Sequence, residues 1–310
     1  MSNFFLETPE TSFNSIENFS YDINFMKNNL GLSSDYKNFK IAYLDENKQG
    51  KKGVLLMIHG HPTWSYLWRH LIPIGIRNDY RVISLDLPGY GRSDKPINKD
   101  FFKFYNYRNV VLNFIKNLNL QNITLFLHEW GGTLGMTLPM ESEVSYKGMV
   151  VFNSYLGNSL ANITQGYKDW INTNINTEFL NVRALMARTN RILNLSECNA
   201  YESPFLQKES KLSLRMLPSI FPLNPEHDGF EVCKKALEWW QENTLKQVIV
   251  IGGGRDPLIP IEKMRTLSKI ISTDEQTHVI NNAGHFVPEW GMEFGDELFQ
   301  QLNNNQANEK

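Results

Sequence analysis

Five predominantly apolar runs, spaced along 310 residues, limit what this chain can fold into more than any other feature. They are 54–59 (VLLMIH), 82–85 (VISL), 123–127 (ITLFL), 148–152 (GMVVF) and 248–251 (VIVI), with a shorter sixth segment at 278–280. A strand with one wet face alternates apolar and polar residues, so continuous runs belong to strands buried on both faces of a parallel sheet. The amphipathic stretch 107–118 lies between the second and third runs and supplies a covering helix. Alternation of this kind predicts an α/β protein with a doubly wound, mostly parallel sheet. The gap between the fourth and fifth runs breaks the rhythm. From roughly 158 to 227 there is no strong β-run, only helix-like stretches such as 178–191 and a segment punctuated by prolines at 204–225. The expected organisation is therefore a core in two parts, 1–156 and 228–310, with a helical cap at 157–227. An insertion between sheet strands leaves the core pairing intact and commonly roofs a site at the strands' carboxyl ends.

Composition excludes several classes. With 41% hydrophobic and 21% charged residues the chain is an ordinary globular protein. Its 31 basic and 33 acidic residues nearly cancel, which gives no electrostatic reason to bind nucleic acid or an anionic membrane surface. The start lacks the basic and apolar regions of a signal peptide, and no run of about 18 apolar residues is present to span a bilayer. A cytoplasmic location and a monomer are expected. The two cysteines, Cys198 and Cys233, stand outside any CxxC or His/Cys cluster, so no metal site is expected and both read as packing thiols.

The chemistry concentrates after the third run. Leu127-His128-Glu129-Trp130-Gly131-Gly132 joins a strand to a helix-like stretch, TLGMTLPM, and such an elbow with small residues around one protruding side chain is where α/β-hydrolases place a nucleophile. Glu129 holds that position; no GxSxG serine is present for acyl transfer. Asp256 follows the fifth run in IGGGRDPL, and His285 follows the sixth segment in NNAGHFVPEWG. An Asp after a strand is also a common helix cap, and a lone His is often structural. Together, in the order nucleophile, acid, histidine, they read as a catalytic set in which Asp256 holds the tautomer of His285 and His285 activates water.

HGHPTWSYLWRHLIP at 59–73, DLPGYGRSDKP at 86–96, NITLFLHEWGGTLGMTLPM at 122–140, GYKDW at 166–170, AYESPF at 200–205, and the GGRD and AGHFVPEWG segments resemble haloalkane dehalogenases of the α/β-hydrolase fold. The similarity covers nearly the whole chain and is nearest to the branch that acts on short chlorinated alkanes. It implies hydrolysis without a cofactor: a carboxylate displaces halide, and water activated by histidine cleaves the resulting alkyl ester. By the same resemblance Trp130 and Trp170 are the halide-binding indoles, with packing under the lid as the alternative, and the backbone N–H groups of His61 and Trp130 form the oxyanion hole. The implied partners are a small apolar substrate, halogenated or not, water and a halide ion.

Two positions depart from the family pattern. The family nucleophile is aspartate, and Glu129 is one methylene longer, roughly 1.5 Å for the reacting oxygens, which threatens the attack geometry. His61 stands where the family carries Glu or Asn; its ring is left to assist the halide, to crowd the site, or to partner Glu129. Alternatives to carbon–halogen hydrolysis are epoxide hydrolysis, with lid tyrosines Tyr167 and Tyr201 as acids, and an inactive scaffold that binds a small molecule. Tyr167, Phe205 and Trp68 read as pocket lining or simple core.

Overall fold

The structure is a computed structural model that describes residues 4–141, 143–157, 163–188, 191–273 and 276–307. The strands are β1 (Phe5–Leu6), β2 (Ile23–Met26), β3 (Ile41–Glu46), β4 (Val54–Ile58), β5 (Arg81–Leu85), β6 (Lys95–Pro96), β7 (Ile123–His128), β8 (Tyr146–Phe152), β9 (Gln247–Gly253) and β10 (Thr277–Ile280). Eight of them form one sheet in the order β10-β9-β8-β7-β4-β5-β3-β2, and β1 pairs with β6 apart from it. Neighbours from β10 to β5 are parallel, whereas β3 runs antiparallel to both β5 and β2. Every residue of β4 and β7 is buried. Because successive side chains point to opposite faces, the sheet must be covered on both sides there, which is why those segments are almost wholly apolar.

The helices are α1 (Ile72–Arg77), α2 (Phe104–Asn117), α3 (Trp130–Gly135), α4 (Gln165–Asn176), α5 (Val182–Met186), α6 (Leu195–Glu202), α7 (Leu212–Ser219), α8 (Phe230–Glu242), α9 (Ile261–Ile271) and α10 (Gly291–Ala307). Helices α1, α3 and α9 pack on β5, β7 and β9. Between β8 and β9 the described residues contain helices but no strand, and within this inserted cap α4 packs on α7 and α5 on α6. The chain thus has the α/β-hydrolase fold: a mixed, mostly parallel sheet with an inserted helical cap. Residues 158–162, where the cap is expected to begin, and the tail from 308 lie outside the described residues.

The differences from the sequence reading have local causes. Strands β2 and β3 were not foreseen. The first is short and half exposed at the sheet edge, and the apolar part of the second, IAYL, is cut short by two acids. Helix α2 starts three residues before the expected 107, because Asp228, far along the chain, accepts hydrogen bonds from the N–H groups of Phe104 (2.9 Å) and Tyr105 (3.2 Å). Such a cap satisfies amide donors that a helix start leaves free, and local sequence does not reveal it. Among its described residues the stretch 178–191 holds only the five-residue α5, begun by Asn181 capping Ala184 (2.8 Å); residues 189–190 lie outside those described. Helix α3 ends at Gly135, four residues ahead of Pro139.

Candidate active site

Five strand ends supply the site: β4 leads into Gly60 and His61, β7 into Glu129, β8 into Asn153, β9 into Asp256 and β10 into His285. Carboxyl ends of parallel strands point one way, so residues far apart in sequence meet along one edge of the sheet. Glu129 caps α3 in a backbone conformation that side chains rarely adopt, with φ 46° and ψ −114°. Its carbonyl accepts from the N–H groups of Gly132 (2.9 Å) and Thr133 (3.1 Å) and from Ser154 Oγ (2.7 Å), which stabilise the turn. The elbow also needs bare neighbours. A Cβ on Gly131 would lie 2.2 Å from the Ile58 carbonyl oxygen, and one on Gly60 2.6 Å from Glu129 Cβ.

The Glu129 side chain folds back over its own helix start. Oε2 accepts hydrogen bonds from the backbone N–H of His61 (2.8 Å) and of Trp130, while Oε1 accepts from the Tyr167 hydroxyl (3.0 Å). Burial raises its pKa, with His285, the two N–H donors and Tyr167 acting in the opposite sense.

Asp256 and His285 stand together, Nδ1 to Oδ2 at 2.9 Å. Asp256 is held from two further sides: Leu258 N–H donates to Oδ1 (2.7 Å), and the Asn153 side-chain amide donates to Oδ2. Asn153 Oδ1 in turn accepts from Gly253 N–H (2.8 Å), which ties the end of β8 to the end of β9. Burial pulls the His285 pKa down, but the charge and hydrogen bond of Asp256 and the charge of Glu129 outweigh it, and the net shift is upward. His285 Nε2 is buried without a protein partner. His128, kept neutral by burial, donates from Nε2 to the His285 carbonyl (2.9 Å) and steadies the loop. Glu129, Asp256 and His285 are 3%, 6% and 6% exposed, so the cap closes them from bulk water.

The indole Nε1 of Trp130 is likewise buried with no acceptor, and its ring packs edge-on against Phe104 and Tyr107. Trp170 is half-buried on α4, its ring 5.5 Å from that of His61. The His61 ring makes no hydrogen bond to Glu129. It lies between the Tyr90 hydroxyl at Nδ1 (2.9 Å) and Asn174 Oδ1 at Nε2 (3.0 Å), and burial lowers its pKa to about 4. Because Asn174 spends its NH₂ on the Trp170 carbonyl (2.7 Å), its Oδ1 faces His61, whose neutral ring therefore donates from Nε2; the Tyr90 hydroxyl at Nδ1 is shared with the Ser213 carbonyl (3.2 Å). Of the three roles open to that ring, partnership with Glu129 falls away, and only the backbone reaches the carboxylate. The sequence reading missed Asn153, Tyr90, Asn174 and His128. Asn153 was the most accessible of them, being a polar residue directly after a buried strand. Among the described residues, the His/acid group with metal-ligand spacing is His70, Glu197 and Glu289, but both carboxylates already answer Arg69 and Arg191.

Residues 53–292 match the profile of the alpha/beta hydrolase fold. A haloalkane dehalogenase of Psychrobacter cryohalolentis is 30% identical over 290 residues, 92% of this chain and 93% of that protein. The chain belongs to the haloalkane dehalogenase family. A second member, from Mycolicibacterium paratuberculosis, is 27% identical over 96% of both chains. Among solved structures, the haloalkane dehalogenase DpaA of Paraglaciecola agarilytica superposes with a TM-score of 0.88 at 31% identity, covering 94% of this chain and 97% of its own. Haloalkane dehalogenase DbeA of Bradyrhizobium elkani, at 20% identity and TM-score 0.76, shares the fold. DpaA is described as tetrameric, and this overturns the expectation of a monomer for this family member. Quaternary contacts depend on surface complementarity, which strand and helix periodicity does not encode. No helix among the described residues is long and apolar enough to cross a membrane.

Proposed function

We propose that this chain hydrolyses carbon–halogen bonds of small apolar alkanes, those of the short chlorinated kind included, through a covalent ester on Glu129. The observation that carries the reading is the division of labour within one carboxylate. Oε2 already sits on the N–H groups of His61 and Trp130, and Oε1 faces the cap. Attack by Oε1 on the carbon breaks the carbon–halogen bond, and the departing halide takes the unpaired indole N–H of Trp130, with Trp170 as second donor. His285 Nε2, held by Asp256, removes a proton from water, which adds to the ester carbonyl carbon. Negative charge then develops on Oε2, in the place where the two N–H donors stand. Collapse restores the carboxylate with one oxygen from water and frees the alcohol carrying the former Oε1, together with one halide ion and one proton.

The extra methylene of Glu129 is absorbed by the fold-back that keeps Oε2 in the oxyanion hole, at the cost of a less direct line from Oε1 to the substrate. Turnover is therefore weakened relative to an aspartate. The test is halide release from 1,2-dibromoethane, 1-bromobutane and 1,2-dichloroethane by the protein and its Glu129→Gln and Glu129→Asp variants. Release by the unmodified protein, its loss in the Gln variant and a gain in the Asp variant are expected. Release by the Asp variant alone would make the natural chain an inactive scaffold, and silence from both would end the halide reading.

A further inference from the structure

Tyr167 places an O–H group where halide departure needs none. A halide leaves as a stable anion and asks only for N–H donors. An alkoxide is a poor leaving group and gains from a proton delivered as the bond breaks. The Tyr167 hydroxyl lies 3.0 Å from Oε1, the oxygen left free by the oxyanion hole. It is fixed there. The residue is 2% exposed, and its ring is wedged between Tyr155 (centroids 5.2 Å apart, interplanar angle 88°) and Phe221 (5.3 Å, 63°). Thr164 Oγ1 caps the Tyr167 N–H (3.1 Å) and donates to the Leu258 carbonyl (2.7 Å), so the start of α4 is tied to the loop that carries Asp256. Burial and the Glu129 charge hold the phenol well above its usual pKa, so it keeps its proton.

A substrate carbon approaching Oε1 intrudes on this O–H···O contact. A bromoalkane offers only a weak acceptor in exchange, whereas a substrate with an oxygen bonded to the attacked carbon takes over the hydrogen bond and then the proton. Strain in a three-membered ring makes such a C–O bond breakable with a phenol as acid. Building on the carboxylate-nucleophile reading above, we propose that the same site opens small epoxides, Glu129 attacking a ring carbon while Tyr167 protonates the departing ring oxygen.

The step balances. The Oε1–C bond forms, the ring C–O bond breaks, its electron pair goes to the oxygen, and that oxygen takes the phenolic proton. Water activated by His285 then cleaves the hydroxyalkyl ester, and the proton taken from water restores Tyr167. The sum is epoxide plus water to vicinal diol with no acid released, which separates it from the halide reaction.

The experiment compares 1,2-epoxybutane with 1-bromobutane, two four-carbon substrates, by diol and bromide formation in the protein and its Tyr167→Phe variant. Intact mass of the His285→Gln variant after exposure to each substrate serves as a second readout, since that variant retains any ester it forms. Diol formation, a hydroxybutyl adduct on Glu129 and a fall of at least about 100-fold in the ratio of epoxide to bromoalkane turnover on Tyr167→Phe are expected. An unchanged ratio, with both activities falling together, would make Tyr167 a support for the carboxylate and overturn the proposal. Bromide release and a butyl adduct without diol or hydroxybutyl adduct would overturn it while leaving the halide reading intact. Absence of every product and adduct would remove both.

Discussion

Glu129 is answered at each polar atom by a different part of the fold: Oε2 by the loop after β4 and the first turn of α3, Oε1 by the cap, and the carbonyl by Ser154 and α3. His61 lends that arrangement an N–H but no charge, because its buried ring is neutral and spent on Tyr90 and Asn174. His285 behaves oppositely. Its pKa lies above the ordinary 6.5 despite burial, since Asp256 and Glu129 favour the imidazolium. The proposed base must be neutral, so the rate of ester hydrolysis should climb with pH through the His285 midpoint; in the ester Glu129 carries no charge, which leaves Asp256 as the group that favours the imidazolium. Asp256→Asn removes the larger support; it should lower that midpoint and slow hydrolysis on the order of 10⁴-fold, by loss of the correct tautomer. Rapid-quench measurement of ester breakdown across pH checks both, and a rate that does not rise with pH, or a midpoint unmoved by Asp256→Asn, would contradict the assigned base.

At the scale of elements, α4 is the cap's contribution to the site. Tyr167, Trp170 and Asn174 are three and four residues apart, which puts them on one helix face, and the contacts to Glu129 and His61 show that this face looks down on the strand ends. That spacing was visible in the sequence, but which face of α4 would turn inward was not. A second junction joins cap and core. Arg69 makes paired hydrogen bonds to Glu289 (2.6 and 2.8 Å) and one to Glu197 of α6 (2.9 Å), while Arg191 bonds to both acids and the Tyr201 hydroxyl also reaches Glu289. Glu289 lies four residues beyond His285, so this cluster ties the cap to the loop that bears the histidine. Removing Arg69 leaves two acids against the single cation Arg191, with Glu289 fully buried: Arg69→Met should cost up to about 3–5 kcal/mol, and combining it with Glu289→Gln should recover part of the loss. Urea unfolding of both single variants and the double variant measures this, and a loss in the double variant equal to the sum of the two single losses would show that the pair is not coupled.

At the scale of the whole molecule, the described residues share one continuous apolar core that includes β4 and β7, cap residues Tyr167, Val182, Met186, Tyr201 and Phe205, and Phe299 and Leu302 of α10. A cap sharing its core with the sheet cannot melt alone, so calorimetry should record a single unfolding transition, with the fluorescence of its tryptophans changing at the same temperature. Two separated transitions would show the cap to be an independent unit. The sequence by itself determined the mostly parallel sheet, the presence of a helical insertion and the elbow at Glu129, because burial on both faces and tight turns impose composition and glycine locally. It also named Asp256 and His285, since both follow strands whose ends must share one edge. Only the tertiary structure decided that Asp228 starts α2, that Asn153 braces Asp256, that the His61 ring turns away from Glu129 and that Tyr167 turns toward it. These are contacts between residues 29 to 124 positions apart or more finely placed than a helix face, and side-chain direction at such contacts is set by packing across elements, for which a hydropathy pattern holds no signal.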